Sequence, residues 1–267
     1  DTSRAARVPG VYAVITGTEY PRLIGRAMKD LPVLAYEKVR FIGERVAAVA
    51  AETAAAASQA LDLIDVVYEE LQPVFDMRQA LSPGAALVHD DPASYVGAYV
   101  HPERPDLPNL CSYDRWTAGD LAAAFASADH VSENTFHTQK QHHAYMESHA
   151  CIVSVQPDGA ADVWASNKSP YALRGQLAAS LGVEPASIRV HPMTVGGDFG
   201  GKGSPMDMPV AYLLSQVCGR PVKIVMGYDE ELLAANTRHP SEITVRTGFM
   251  RDGTLAALEV DAYFDSG

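Results

Sequence analysis

The sequence predicts an α+β fold arranged as two domains, and three observations carry this prediction. Apolar runs typical of buried strands surround one alanine-rich helix in the first hundred residues. A proline-rich, polar stretch follows, and it can maintain neither a helix nor a central strand. Strand-like runs and helices then flank a glycine-rich loop. The predicted domains are residues 1–95 and 119–267, joined by a linker over 96–118.

The first domain is predicted from its order of elements. Residues 11–16 and 45–50 are expected to form buried strands, and 51–64 is alanine-rich with apolar residues at helical spacing. A further strand is expected at 66–68, which completes a compact α+β unit. An acidic pair follows at 69–70, and we expect it to be solvated, because exposed carboxylate pairs rarely lie in a cleft.

The linker is predicted from its prolines. Pro102, Pro105 and Pro108 are closely spaced within a polar stretch. Each proline lacks an amide N–H, so this composition favours a loop. We therefore expect the domain boundary between about Asp91 and Gly119.

The second domain is predicted to begin with a capped helix followed by a strand. Asp120 is a good N-cap for a helix over 121–125, and a strand is expected at 131–138. The later elements follow from turn residues and apolar runs. They are a strand pair at 150–155 and 161–165 turned by Pro157-Asp158-Gly159, a helix from Ser169-Pro170 to about Gly182, and strands at 188–190 and 255–264.

Four histidines and a carboxylate lie within the thirteen residues from His137 to His149. This density suggests a metal site, but no His-Glu-x-x-His spacing is present, and imidazoles near carboxylates more often hydrogen-bond to them. We therefore expect no direct metal ligation here. A helix would place His143 and Glu147 on one face, whereas a strand would align Gln141, His143, Tyr145, Glu147 and His149.

The stretch 194–205 includes four glycines within six residues, and glycine lets a backbone approach a neighbour that a side chain would exclude. Ser204 is a natural N-cap and Pro205 a natural first helical residue, so the loop is predicted to lead directly into a helix over 205–217. Free N–H groups at such a helix start would face a bound anion or oxo group. The loop is the strongest candidate site in the sequence.

Two other families with glycine loops fit these residues poorly. The stretch 196–202 has the outline of a P-loop, but Gly203 stands where magnesium binding needs a Ser or Thr hydroxyl. The tripeptide at 198–200 matches the magnesium motif of protein kinases, yet no His-Arg-Asp loop precedes it. A P-loop-like nucleotide binder is therefore a weak alternative, and a kinase is excluded.

Composition and charge limit the partners. The chain has 267 residues, is 47% hydrophobic, and carries a net charge of −12 with a pI near 5.1. This charge opposes binding to nucleic acid, and no segment is long or apolar enough to span a membrane. Three dispersed cysteines favour a reducing, cytoplasmic location, with the periplasm as an alternative. Because it begins without methionine and stops after a strand, we expect the chain to be cut from a longer protein.

The order of these elements, together with several motifs, resembles the N-terminal portion of the molybdenum-binding large subunit of the xanthine dehydrogenase and aldehyde oxidase family. The resemblance covers nearly the whole chain. It implies an α/β hammerhead domain over 1–95 and the first, incomplete part of a molybdopterin-binding domain over 119–267. The motifs are Val8-Pro9-Gly10-Val11, Val39-Arg40-Phe41-Ile42-Gly43-Glu44, Gln141-x5-Glu147 and Gly196-Gly197-Asp198-Phe199-Gly200-Gly201-Lys202.

The resemblance also implies roles for single residues. Gln141 is expected to hydrogen-bond an oxo ligand of molybdenum through its side-chain amide, without ligating the metal itself. Phe199 and Gly200 are expected to lie against the metal centre, and Lys202 either offers charge to the pterin phosphate or is solvated. The expected cofactor-binding residues are Gln141, Gly197, Asp198, Phe199, Gly200, Gly201 and Lys202.

Two positions depart from the family pattern. Asp198 stands where a third glycine is common, and an aspartate tolerates the left-handed backbone that a glycine would adopt. Gly203 stands where purine-oxidising members have a glutamate that contacts the substrate, which argues against a purine.

By this resemblance the chain is part of the catalytic subunit of a molybdenum hydroxylase or dehydrogenase. Such an enzyme oxidises a heterocycle, an aldehyde or a similar small substrate with oxygen from water. The cofactor would be molybdopterin, or its cytosine dinucleotide, with electrons passing to Fe-S and FAD domains or subunits. No catalytic residue is expected in this chain, because the family's glutamate base lies beyond Gly267. A non-catalytic assembly or scaffold module with the same fold is the alternative.

Overall fold

The computed structural model describes residues 1–25, 27–99, 101, 107 and 109–266. These residues form two compact units whose segments alternate along the sequence. The predicted α+β class is confirmed, because each unit combines helices with a sheet. The first unit consists of Asp1–Leu71, Asp91–Ala98 and His143–Asn236, and the second of Gln72–Asp90, Tyr99–His142 and Thr237–Gly267.

The strands and helices are numbered in chain order. The strands are β1 (Val11–Thr16), β2 (Leu23–Ile24), β3 (Leu31–Pro32), β4 (Ala47–Ala51), β5 (His130–Thr138), β6 (Ala150–Val155), β7 (Ala161–Ala165), β8 (Ile188–Pro192), β9 (Val222–Val225), β10 (Ser241–Phe249) and β11 (Leu255–Phe264). The helices are α1 (Ala54–Leu61), α2 (Met77–Ala80), α3 (Leu121–Ser127), α4 (Pro170–Leu181), α5 (Met208–Cys218) and α6 (Tyr228–Ala234). None of the described helices has the length and apolarity needed to cross a membrane.

A four-stranded sheet in the order β8-β7-β6-β9 forms the centre of the first unit. β7 runs parallel to β8, whereas β6 is antiparallel to both β7 and β9. Alternate residues of β7 are buried, as expected for a strand with one covered face. The helices α4 and α5 pack on this sheet, and Leu173, Leu177 and Leu213 share one core with Val153 and Val163.

The antiparallel pair of β1 and β4 contributes to the same core. Ile15 and Ala50 are buried in the cluster that contains the leucines of α4 and α5. Segments distant in sequence therefore share one apolar interior within the first unit. The division of the chain at 96–118 stays a prediction, and Pro102, Pro105 and Pro108 of the expected linker lie outside the described residues.

The second unit is built on an antiparallel sheet in the order β11-β10-β5. Asp120 caps α3 as predicted, because its carboxylate accepts the amide N–H of Ala123 at 3.0 Å. Gly248 of β10 lies under this helix, since a Cβ there would be 3.2 Å from the Phe125 ring. The strands predicted at 131–138 and 255–264 correspond to β5 and β11.

One predicted strand of the first unit is wrong. The residues at 66–68 have no partner strand within the described part of the chain, and Val67 is 96% exposed. A run of β-branched residues favours an extended chain, but a strand exists only where a neighbour completes its hydrogen-bond ladder. Glu69 and Glu70 are both exposed, which agrees with the solvated pair expected there.

Candidate functional site

The glycine-rich loop occupies 193–203 and follows β8 in the first unit. Three of its residues have left-handed backbone, namely Gly197 with φ of 103°, Phe199 with 46° and Gly200 with 102°. The sequence suggested a left-handed conformation at Asp198, but the structure places it at Phe199. A phenylalanine in this region of φ is unfavourable by itself, so the surrounding contacts must hold it there.

Asp198 organises the loop through its carboxylate. Its Oδ2 accepts the N–H of Gly200 at 2.8 Å, and its Oδ1 accepts the N–H of Lys202 at 2.6 Å. The ammonium of Lys168 lies 3.1 Å from Oδ2. A glycine at this position could make none of these side-chain bonds, so Asp198 restricts the loop backbone in a way that a glycine would not.

The loop glycines are required by close packing against the segment 143–147. A Cβ at Gly196 would lie 2.7 Å from the Cβ of Glu147, and one at Gly201 would lie 2.5 Å from Cε1 of Tyr145. A Cβ at Gly197 would also lie 3.1 Å from the Cβ of Tyr145. The sequence predicted that the glycines allow a close approach to a neighbour, which it did not identify. In the structure, three of the glycines allow an approach to the protein's own chain.

Lys202 is completely buried at the end of the loop. Its ammonium lies 2.6 Å from Oε2 of Glu147 and 4.8 Å from the ring centroid of Tyr145. The solvated alternative for this lysine is therefore wrong. A buried ammonium requires a partner, and Glu147 provides it.

A buried polar cluster lies beneath the loop residues that contact Tyr145. Tyr145 is fully buried, and its hydroxyl donates to Oε1 of Glu231, which is itself fully buried in α6. Oε1 also lies 2.6 Å from Nδ1 of His149, and the backbone N–H of His149 donates to Oε2 at 2.7 Å. Burial alone would raise the Glu231 pKa, but the bonds from Tyr145 and His149 lower it overall.

Gln141 belongs to the second unit. Its backbone N–H donates to the carbonyl of Arg238 at 3.3 Å, and the Arg238 N–H donates to its carbonyl at 2.8 Å. This isolated bridge fixes the backbone of Gln141, while its side chain is exposed. The side-chain amide is thus available to a ligand.

The histidine-rich segment forms neither the helix nor the strand considered from the sequence. Residues 139–149 are irregular except for the bridge at Gln141, and Ala144 has left-handed backbone with φ of 55°. Among the described residues, no group of three or more His, Cys, Asp or Glu side chains is arranged to hold a metal ion. His149 instead lies against Glu231, and His137 lies 3.8 Å from Glu242 in the second unit.

The helix that follows the loop begins later than predicted. α5 has Asp207 as its N-cap, so neither Ser204 nor Pro205 takes its predicted position. Met206 has left-handed backbone with φ of 42° and separates the loop from the helix. The Asp207 carboxylate pairs with the guanidinium of Arg45. The helix start predicted at Ser204 and Pro205 is therefore wrong, whereas an anion site at the true helix start stays a prediction, because the Asp207 side chain caps none of the helix amides.

The loop combines exposed residues with half-buried backbone donors, and donors of this type suit a molybdopterin group. Phe199 is 67% exposed, and Gly200 is exposed beside it. Within the part of the chain that the structure describes, the amides of Gly197 and Asp198 donate to no acceptor. Backbone amides bind oxo and phosphate oxygens without carrying a formal charge. By donor chemistry, the loop and the exposed amide of Gln141 each fit such a group.

The stability of the loop should depend on pH. Burial alone would raise the pKa of Glu147 and of Asp198. Hydrogen bonds from Lys202 and Gly196 lower the pKa of Glu147, and a hydrogen bond from Gly200 lowers the pKa of Asp198. A lowered folded-state pKa stabilises the fold above the ordinary values of 4.5 and 3.8, and this contribution is lost as the pH falls through the lowered values.

We therefore expect the thermal unfolding midpoint to fall steeply as the pH is lowered from about 5 to about 3, and less steeply in Glu147→Gln and Asp198→Asn. Calorimetry at several pH values measures both slopes. An identical pH slope in wild type and both variants would show that these carboxylates do not link protonation to folding.

Two family models match the chain. Residues 100–267 match the molybdopterin cofactor-binding domain, and residues 1–72 match the a/b hammerhead domain of aldehyde oxidase and xanthine dehydrogenase. The two matches follow one another in the order that the sequence resemblance implied.

Curated relatives match the chain over its full length. A probable xanthine dehydrogenase subunit of Bacillus subtilis is 35% identical over 268 residues, and the nicotinate dehydrogenase large molybdopterin subunit of Eubacterium barkeri is 32% identical over 272 residues. Both alignments include 100% of this chain, which spans 34% of the first relative and 60% of the second.

Solved structures have the same fold. A Cu,Mo-CO dehydrogenase matches with a TM-score of 0.85 and 27% identity, covering 100% of this chain and 35% of that chain. The aldehyde oxidoreductase of Desulfovibrio gigas matches with a TM-score of 0.81 and 26% identity, covering 99% of this chain and 29% of that chain. With a molybdopterin-binding model matching more than half of its residues, the chain belongs to the xanthine dehydrogenase and aldehyde oxidase family.

Proposed function

We propose that the chain is part of the catalytic subunit of a molybdenum hydroxylase, in which the glycine-rich loop lies against the molybdenum centre. The observation that carries this proposal is the loop itself. Its backbone is fixed by Asp198, and Phe199 and Gly200 are adjacent exposed residues of the loop. A fixed loop with no side chain at its exposed glycine suits close contact with a bulky group.

Each residue of the loop has a distinct task in this proposal. Gly200 leaves its backbone accessible, and Phe199 presents an apolar ring that excludes water from one side of the metal centre. The amides of Gly197 and Asp198 donate to oxygens of the cofactor. When bound, molybdopterin supplies oxygen transfer from a metal-activated water and accepts two electrons from the substrate. The chain's own contribution is to bind and orient.

Gln141 contributes a neutral donor. We propose that its exposed side-chain amide hydrogen-bonds an oxo ligand of the metal. A neutral amide polarises that oxygen without adding a charge or becoming a ligand. The bridge between Gln141 and Arg238 supports this role, because it holds the backbone of Gln141 in place while the side chain stays exposed.

The rest of the reaction depends on residues and partners outside these 267 residues. We propose that a glutamate base lies further along the full-length chain and that electrons leave through Fe-S and FAD domains or subunits in the cytoplasm. The similar proteins include a nicotinate dehydrogenase, a CO dehydrogenase and an aldehyde oxidoreductase, which are named for different substrates. The proposed substrate is a non-purine heterocycle or an aldehyde, since Gly203 offers no side chain to a purine.

A substitution at Gly200 tests whether the loop contacts the cofactor. Gly200→Val in the full-length enzyme adds branched carbons at a left-handed position, where strain is about 1–3 kcal/mol. The free loop of the variant relieves this strain by leaving the left-handed conformation, and binding must restore it, so we expect affinity for the cofactor to fall roughly 5- to 150-fold. Molybdenum by elemental analysis and pterin by fluorescence measure the occupancy.

Gly253→Val is the matched control for Gly200→Val. Gly253 is also left-handed, with φ of 88°, but it lies in the turn between β10 and β11 with open space around it. This control should keep its molybdenum. Equal molybdenum content in the two variants would show that the loop does not contact the metal centre. A wild-type enzyme that never holds molybdenum would support the non-catalytic scaffold instead.

A further inference from the structure

We propose that Glu147 is a positioning residue that holds the loop at Gly196 and at Lys202, and that Lys202 serves this contact rather than a phosphate of the cofactor. The clasp is defined as Glu147 with Gly196 and Lys202. The inference deepens the proposed function and rests on it, because the loop that the clasp holds is the one proposed to face the metal.

A single carboxylate oxygen joins Gly196 to Lys202, which are six residues apart in the loop. Oε2 of Glu147 accepts the N–H of Gly196 at 2.7 Å and also lies 2.6 Å from the Lys202 ammonium. The backbone N–H of Glu147 donates in return to the carbonyl of Gly196 at 3.3 Å. The residues proposed to contact the cofactor lie between Gly196 and Lys202. By binding both of these residues, Glu147 holds the two ends of that segment together.

Lys202 is unsuited to reach a ligand. Its side chain is completely buried, and its ammonium lies over the ring of Tyr145 as well as beside Glu147. Its backbone is held too, because its N–H donates to Asp198 at 2.6 Å and its carbonyl accepts the N–H of Lys168 at 3.1 Å. Moving the ammonium to a phosphate would leave the Glu147 carboxylate without its cation. It would also withdraw the aliphatic part of the Lys202 side chain from its packing.

The local packing is adapted to this contact. A Cβ at Gly196 would lie 2.7 Å from the Cβ and 3.4 Å from Oε2 of Glu147, so only glycine permits the short bond between them. A Cβ at Gly201 would collide with Tyr145, the ring on which the lysine rests. The glycine pattern therefore serves both contacts of the clasp.

Opening the clasp should change where Phe199 and Gly200 sit, because both lie between its ends. Within the described chain, the hydrogen bonds of the Glu147 carboxylate go to Gly196 and Lys202 and to neither of these exposed residues. Its effect on the reaction is therefore indirect, through the position of the loop backbone.

Amide hydrogen exchange on the cofactor-free, full-length enzyme tests the clasp. We expect exchange over 196–202 to be at least about tenfold faster in Glu147→Gln, which removes the negative charge beside a buried ammonium. Exchange should be less accelerated in Lys202→Met, because the remaining carboxylate is partly exposed. In the double variant Glu147→Gln/Lys202→Met, the amide oxygen at 147 can still accept the Gly196 N–H and no charge stays buried. Its exchange should return to within about threefold of wild type.

Cofactor content then separates a clasp from a phosphate ligand. If the clasp is correct, the double variant regains both its molybdenum content and its turnover per molybdenum. If Lys202 instead binds a phosphate of the cofactor, the double variant should hold as little molybdenum as Lys202→Met does. Lys223→Met, at an exposed lysine of β9, is the matched control and should exchange as wild type does. Unchanged exchange in Glu147→Gln, or a depleted double variant, would overturn the inference. Exchange in cofactor-free protein does not depend on the proposed function, so the two can fail separately.

Discussion

Gln141→Ala in the full-length enzyme is expected to lower turnover per bound molybdenum by about 10² to 10³, the usual effect of removing one preorganised donor to developing charge. The fold should be unaffected, because the link between Gln141 and Arg238 involves only backbone atoms. Steady-state kinetics normalised to molybdenum content measure the loss. Since the donor is proposed to act in the transition state, kcat should fall more than KM rises.

Gln139→Ala is the matched control for Gln141→Ala. Gln139 is exposed and lies two residues away in the same irregular segment, so the same amide is removed from the same local chain. Turnover in this control should equal wild type. If Gln141→Ala has the same turnover per molybdenum as wild type, Gln141 takes no part in the reaction, whatever the substrate is.

Elements with a clear periodicity or an explicit turn could be predicted from the sequence. The strand pair turned by Pro157, Asp158 and Gly159 has the same limits in the structure, and α4 runs from Pro170 to a left-handed glycine at 182. These features depend on local sequence, because proline restricts its own backbone and glycine adopts left-handed backbone without help from distant residues. Elements that need a distant partner could not be read in this way. The residues at 66–68 have strand composition but no partner strand within the described chain.

The helix after the loop shows a different limit. Ser204 and Pro205 have the composition of a helix start, yet α5 begins at Met208. The delay comes from the left-handed backbone at Met206 and from the contact between Asp207 and Arg45. Neither can be inferred from local sequence, since methionine rarely adopts positive φ and Arg45 lies far away in the chain.

The position of the candidate loop was predictable, but its supports were not. Four glycines within six residues mark a close approach, and sequence alone does not say what approaches. The structure shows that Glu147 and Tyr145 occupy much of that space. The roles of Gln141 and the loop at the cofactor stay predictions, and exposure is consistent with them only for Gln141, Phe199 and Gly200.

Glu231 shows why the buried cluster was missed. Its neighbours Leu232 and Leu233 are 51% and 59% exposed, whereas Glu231 is fully buried. A hydrophobic pattern would predict the reverse orientation for this short helix. The reversal is possible because the carboxylate finds its donors on Tyr145 and His149, which are 86 and 82 residues distant in sequence.

Glu231→Ala is therefore expected to destabilise the first unit by about 3–5 kcal/mol, the usual cost of breaking a buried, hydrogen-bonded charge network. It removes the acceptor of the Tyr145 hydroxyl, of the His149 ring and of the His149 backbone N–H, and all three donors stay buried. Urea unfolding gives the free energy change. Because Tyr145 also supports Gly197 and Gly201, the loop amides should exchange faster before the unit unfolds.

The control for Glu231→Ala is Glu184→Ala, the same substitution at an exposed position of the first unit whose side chain caps no helix. It should change stability by no more than about 0.5 kcal/mol, as surface substitutions usually do. A loss below about 1 kcal/mol in Glu231→Ala would mean that water replaces the carboxylate at low cost. In that case the cluster would be a polar pocket under the loop and would not be the rigid support that holds Tyr145 against the glycines.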